Sequence, residues 1–369
     1  MRVYGCKISY YTGKLETYLR YRGISYQNLP TVGNEKKLKA GAGCAQMPVV
    51  ELDDGRWLTD TTPMLAWFEQ QQSTPTIYPQ SPTLKFVSDL IEDYADEWLW
   101  RPAMHYRWSF RADRLYAAQA LYDDLIAGNR PIPRWLALHI LKYRQYFGFV
   151  RGDGVTHKTR AHVERSYHTS LQRLQAIFER RPFVLGHTPT NADFGLIGPM
   201  LRHFGQDPTP AQIMRNQAPA VYEWVARMWN AKATVANPEL ITEIDDVLAD
   251  LLAEIGQTHL SQLGQNAEAY SQNKTRYSQI IQDCHYIQVP TSRYRVWCLE
   301  QLQKSWAELK SNEQDNLRRQ FGSPEAVLLL QQNSYSPSNY NTKQNAPFNR
   351  AINVFGSGIP PRFRKTTRL

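Results

Sequence analysis

Apolar and polar positions change their period along this chain of 369 residues, and that change divides it. Over the first 80 residues short alternating runs mix with a helical stripe. They predict a strand near 2–5, a helix over 10–22, a strand near 25–29 and then a Gly/Lys-rich loop. Val49 to Leu52 and Trp57-Leu58 flank Asp53-Asp54-Gly55, a good hairpin turn. A further helix is expected to open at Thr62-Pro63, with Thr62 as N-cap and proline at its first position.

That order, βαβ, an irregular segment and then ββα, is the order of a thioredoxin-like domain. Residues 73–83 hold three prolines and read as a linker. From 84 to about 255 nearly all periodicity is helical. Val163, Tyr167, Leu171, Leu174, Ile177 and Phe178 form one stripe, and Val221, Trp224, Val225 and Met228 another. Thr190-Asn191-Ala192-Asp193 predicts a capping box with Asp in place of Glu. A helix is expected over 238–255, Gln/Asn-rich helical patterns over 260–284, and an amphipathic helix carrying Val296, Leu299, Leu302, Trp306 and Leu309. From Asn333 the periodicity ends in a segment rich in Asn, Ser, Pro and Gly. The expected division is 1–80 for the α/β domain, 84–236 for an all-α domain, 237–332 for a mostly helical extension and 333–369 for an irregular basic tail.

Composition narrows the class. A hydrophobic fraction of 42% suffices for globular cores, and no apolar run is long enough for a membrane span. Met1-Arg2-Val3-Tyr4 enters a strand at once, so no signal peptide is expected and the cytoplasm is the expected compartment. Cys6, Cys44, Cys284 and Cys298 form no C-x-x-C pair, in keeping with a reducing compartment. The net charge is +9, yet residues after Glu325 carry six basic side chains and no acid. The basic balance therefore does not argue for a nucleic-acid partner. His157, His162 and His168 lack zinc-ligand spacing, and no metal is expected.

Val-Tyr-Gly at 3–5 with Ser9, Met47-Pro48-Val49-Val50, Leu58 to Leu65 (L-T-D-T-T-P-M-L) and Thr190 to Phe194 (T-N-A-D-F) together resemble the glutathione S-transferase family over about residues 1–236. The resemblance implies an α/β thioredoxin-like domain that binds glutathione, followed by the all-α domain of such transferases. In Ser-type members the active residue lies fourteen positions before the glycine ending the first helix, and Gly23 minus fourteen is Ser9. Tyr4 and the adjacent Tyr10 stay open as alternative hydroxyls. Cys6 falls three residues too early, although C-x-x-S leaves a glutathione-dependent thiol oxidoreductase as a third reading.

By the same resemblance Pro48 is the cis-proline that frees the backbone of Met47 for the peptide, and Asp60-Thr61 holds the γ-glutamyl end. Gln46, Lys36 and Lys37 are candidates for the glycyl carboxylate. Trp98, Arg101, His105 and Trp108 are candidates for the pocket of an electrophilic small molecule. A homodimer is a further family expectation. The chemistry needs a thiolate: a free thiol titrates near ~8.5, and a hydroxyl donor plus a helix N-terminus both favour S⁻. The competing reading is a transferase fold used without catalysis as an interaction or scaffold module, which the long extension favours.

Overall fold

The computed structural model describes residues 1–43, 46–73, 75–128, 131–234, 238–332 and 334–340. Cys44, the boundary at 236 and the basic side chains from Lys343 to Arg368 lie outside the described residues. The amino-terminal domain runs β1 (Arg2–Gly5), α1 (Tyr10–Arg22), β2 (Gln27–Pro30), α2 (Glu35–Ala42), β3 (Val49–Glu51), β4 (Trp57–Thr59) and α3 (Thr61–Glu69). Its sheet order is β2-β1-β3-β4. β1 is parallel to β2, with Val3 opposite Asn28, and antiparallel to β3, with Val3 opposite Val50. The parallel pair needs the α1 crossover, and the antiparallel pair β3–β4 needs only the turn at Gly55.

The ends of α1 follow from chemistry. Ser9 caps it, Oγ accepting from the Thr12 N–H at 3.4 Å, and Gly23 ends it in the left-handed conformation at φ 68°. Two expectations need correction. The Gly/Lys-rich loop contains α2, whose Leu38 and Ala42 bury one stripe against Tyr4 and Val49. The third helix starts two residues early, with Asp60 rather than Thr62 at the N-cap and at φ 68°. Thr62 turns its hydroxyl to Glu92 Oε1 at 2.5 Å instead.

The helical part comprises α4 (Pro82–Asp93), a π-helical turn (Tyr94–Trp98), α5 (Trp100–Ser109), α6 (Arg111–Leu121), α7 (Arg134–Gln145), α8 (Arg160–Arg180), α9 (Asn191–Pro199), α10 (Pro208–Gln217) and α11 (Pro219–Asn230). The expected stripe of α8 is buried from Val163 to Phe178. The capping box at α9 forms: the Asp193 carboxylate accepts from Thr190 N–H at 3.0 Å, Val184 N–H at 3.0 Å and Trp224 Nε1–H at 3.1 Å. Burial pushes the Asp193 carboxyl up to about 6, against those donors.

Gly195 lets α9 touch α4. A Cβ there would lie 2.6 Å from Glu92 Cα, a backbone atom that cannot yield cheaply. Gly195→Ala should therefore cost about 1–3 kcal/mol of stability by overpacking, read as a lower urea midpoint at unchanged slope. An unchanged midpoint would show that the two helices separate freely.

The extension holds α12 (Asp246–Ile255), α13 (Ser261–Ser271), β5 (Arg276–Ile281), β6 (Cys284–Pro290), α14 (Arg293–Ala307), α15 (Ser311–Gln320) and α16 (Pro324–Gln331). The helix expected from 238 begins at Asp246, because Asp245 caps it by accepting from Leu248 N–H at 3.1 Å. The helical reading of 260–284 is correct only to Ser271. Beyond it Tyr277, Gln279 and Ile281 point inward at period two, and a two-residue turn, Gln282 at φ 47° and Asp283 at φ 60°, joins β5 to β6.

This extension is fastened to the helices before it rather than standing apart. His259 Nε2 lies 2.7 Å from Asp93 Oδ2, Arg295 Nε donates to Glu97 Oε2 at 2.9 Å, and the Trp306 ring packs edge-on against Phe86 at 5.3 Å. Its apolar side chains from Leu248 to Leu330 belong to the same core as those of α1 and α4.

Candidate functional site

α1 is the element on which the site is hung, and buried charge holds it in place. Lys14, fully buried, donates from Nζ to Glu92 Oε1, to Asp96 Oδ2 at 2.6 Å and to Thr62 Oγ1 at 3.2 Å. Burial alone would lower the Lys14 pKa, but Asp96 and Glu92 carry it upward. Nearer its C-terminus, Arg22 pairs with Glu69 at 2.6 Å, and from outside the helix Arg202 reaches Glu16 at 2.5 Å. Each pair joins α1 to a different neighbour, which fixes where its N-terminus points.

That N-terminus opens into a cavity of about 1340 Å³. Its walls bring together Ser9, Tyr10, Gln46, Met47, Pro48, Asp60, Thr61 and Trp108 from the sequence-derived set. The Met47-Pro48 peptide bond is cis. Ser9 is half-buried, and its cap bond uses an oxygen lone pair, so the hydroxyl proton stays available to an acceptor in the cavity. The amides that open α3 at Thr61 and Thr62 are donors no helix can satisfy internally, and a carboxylate fits them.

The alternative thiol partners do not match this geometry. Tyr4 donates to Glu51 Oε2 at 2.8 Å and packs on the far side of the sheet with Leu38 and Val49, away from the cavity walls. Tyr10 presents its ring to the cavity, but its hydroxyl donates to Ala95 O, and burial raises its pKa well above the usual phenol value. Cys6 is buried against Met47 Sδ at 3.6 Å, and burial pushes its thiol up to about 12. A nucleophilic thiol needs the opposite environment.

Trp98, Arg101 and His105 do not reach the cavity walls. Arg101 is clamped to Asp153 at 2.9 Å, His105 lies between Glu164 at 3.0 Å and Ser109 at 2.9 Å, and Trp98 is buried beside His162. The wall is made instead by Trp100, Met104, Arg107 and Trp108, the adjacent stripe of α5. At the other end Lys37 is taken by Glu51 at 2.7 Å and Tyr4 at 2.9 Å, and Lys36 does not line the cavity. Lys39 and Thr31 line it, brought there by the unexpected helix α2 and the residue after β2.

The unforeseen wall comes from the extension. Tyr294 donates to Asp60 Oδ1 at 3.0 Å and Tyr340 to Asp60 Oδ2 at 3.1 Å, across 234 and 280 residues of chain. Burial pushes the Asp60 carboxyl up to about 7, and the two phenols and Lys14 oppose that rise. Glu97, in the same wall, is likewise raised to about 7 by burial, with Arg295 opposing. Among the described residues no group of three or more His, Cys, Asp or Glu side chains is arranged to hold a metal ion, and no helix is long and apolar enough to cross a membrane.

A βαβ–ββα domain with a cis-proline bend, an N-capping serine and a helix start meeting in one cavity defines a thioredoxin-like class of domain. Residues 3–76 match the family described as glutathione S-transferase, N-terminal domain. Among solved structures it is similar to a glutathione S-transferase from Rhodospirillum rubrum F11, at 17% identity over 66% of this chain and 95% of that one, with a TM-score of 0.42. Gtt2 from Saccharomyces cerevisiae is 18% identical over 62% of this chain and 95% of its own, TM-score 0.38. The β-etherase LigF from Sphingobium sp. strain SYK-6 is 15% identical over 62% and 93%, TM-score 0.44. No curated protein matches the chain.

Proposed function

We propose that the protein binds glutathione in this cavity and presents its thiolate to an electrophilic small molecule, by addition or substitution. The observation that carries the reading is the meeting of Ser9, the Met47-Pro48 bend and Asp60-Thr61 in the walls of one cavity. Ser9 faces the sulfur, the backbone of Met47 pairs with the peptide, and Thr61 with the start of α3 takes the γ-glutamyl carboxylate while Asp60 takes the ammonium. Tyr10 and Gln46 complete the tripeptide's surroundings. Trp108 with Trp100 and Met104 forms the apolar side for the second reactant. A volume of about 1340 Å³ exceeds the ~300–1,000 Å³ of ordinary single-ligand pockets, which leaves room for two reactants.

Titration calorimetry with glutathione tests this directly. Binding should be lost in Asp60→Ala, and in the unaltered protein it should strengthen from pH 6 to pH 8. Asp60, raised to about 7, is mostly neutral at the lower pH and ionised at the higher one, and only the ionised carboxylate attracts an ammonium. Absence of binding at millimolar glutathione would sink the reading.

A non-catalytic interaction module is the second reading, and one observation favours it: Asp60 already holds two phenols. It requires binding without turnover or no binding at all. Cytoplasmic residence and a homodimer belong to the enzymatic reading, and light scattering checks the latter.

A further inference from the structure

The contact between Asp60 and the extension has a geometry more specific than packing needs. Each carboxylate oxygen accepts one phenolic proton, from Tyr294 on α14 and from Tyr340 beyond α16. A carboxylate has about four lone-pair sites, so two remain. Asp60 stays only partly buried and still lines the cavity, so those sites remain within a ligand's reach. The phenols therefore fix the direction of the carboxylate without closing it off.

Both tyrosines are themselves held. The Trp297 ring lies 5.3 Å from Tyr294 and 5.2 Å from Tyr340. The segment before Tyr340 is pinned to α14: Ser338 donates from N–H and Oγ to Glu300 at 2.6 and 2.5 Å, and Arg293 donates to Ser338 O and to Asn339 O at 2.7 Å. Two rigidly placed donors on one acceptor are what a preorganised charge receptor needs.

We propose that Tyr294 and Tyr340 are positioning residues of the thiol site, aiming Asp60 at the α-ammonium of the tripeptide, so that the extension forms part of the substrate-recognition surface. This rests on Asp60 as the ammonium acceptor. The specificity it confers is for thiols that carry a free α-amino group at the γ-linked end.

The test compares two probes by calorimetry on the full chain: glutathione, and the analogue in which hydrogen replaces its α-amino group. In Tyr294→Phe/Tyr340→Phe the affinity for glutathione should fall about tenfold while affinity for the analogue stays within about twofold, as expected for loss of hydrogen bonds to a charged group. Equal losses for both probes would show a merely structural role. Tighter glutathione binding in the variant would show that the phenols compete with the ligand. Either result overturns the inference and leaves the functional reading intact, because the unaltered protein still binds. No binding of glutathione by the unaltered protein removes both. Tyr340→Phe alone should show a smaller fall in the same direction, which guards against a double variant that fails to fold.

Discussion

Lys14→Met should lower the unfolding free energy by about 3–5 kcal/mol near neutral pH, the largest stability loss expected of a single substitution here. The ammonium is fully buried between Glu92 and Asp96, and removing it leaves two carboxylates close together without a counter-charge. Neither can be rehydrated in place, since both lie at the junction of α1, α4 and the π-helical turn. The sign of the pH dependence follows from the direction of their shifts. Burial raises both carboxyls above their ordinary values, Asp96 by much more, and removing Lys14 raises them further. Groups raised in the folded state give stability that is present at low pH and lost as pH rises through the folded value. The deficit of Lys14→Met should therefore shrink on acidification from pH 8 to pH 5. Urea melts at those two values check it, and a deficit independent of pH would mean that the cost is packing alone.

Ser9→Ala should reduce turnover of glutathione with an activated aryl halide by about 10- to 100-fold at pH 6.5, the worth of one hydrogen bond to a charged sulfur. The loss should narrow toward pH 9, where the thiol ionises without help. The absorbance of bound thiolate, titrated against pH, should report a bound-thiol pKa raised by about one to two units in the variant. Cys6→Ala is the control, since the Cys6 thiol is buried and pushed up to about 12. Equal rates for Ser9→Ala and the unaltered protein across that range would return Ser9 to a helix cap and nothing more.

The parts of this molecule that were legible in its sequence are those governed by neighbours along the chain. Ser9 and Gly23 bound α1 through groups within four residues, and Thr190 and Asp193 close their box within one turn. The hairpin of β5 and β6 was missed because its Gln-rich strands carry no cluster of turn residues, although Tyr277, Gln279 and Ile281 already alternate. On α5 the error was one of phase. Period 3.6 groups Trp100, Met104, Arg107 and Trp108 on one stripe and Arg101 and His105 on the next, but does not say which stripe faces space and which is covered by Asp153 and Glu164. The phenols on Asp60 had no local signal at all, being set by docking across more than 230 residues.

That long reach bears on how the molecule is made. The ribosome must complete at least 340 residues before Asp60 acquires its second phenol, so the amino-terminal domain spends most of translation with an Asp60 carboxylate that neither phenol yet holds. The nascent chain is then a different species from the finished protein, one able to collapse early yet lacking the two phenols that orient Asp60 until synthesis is nearly done.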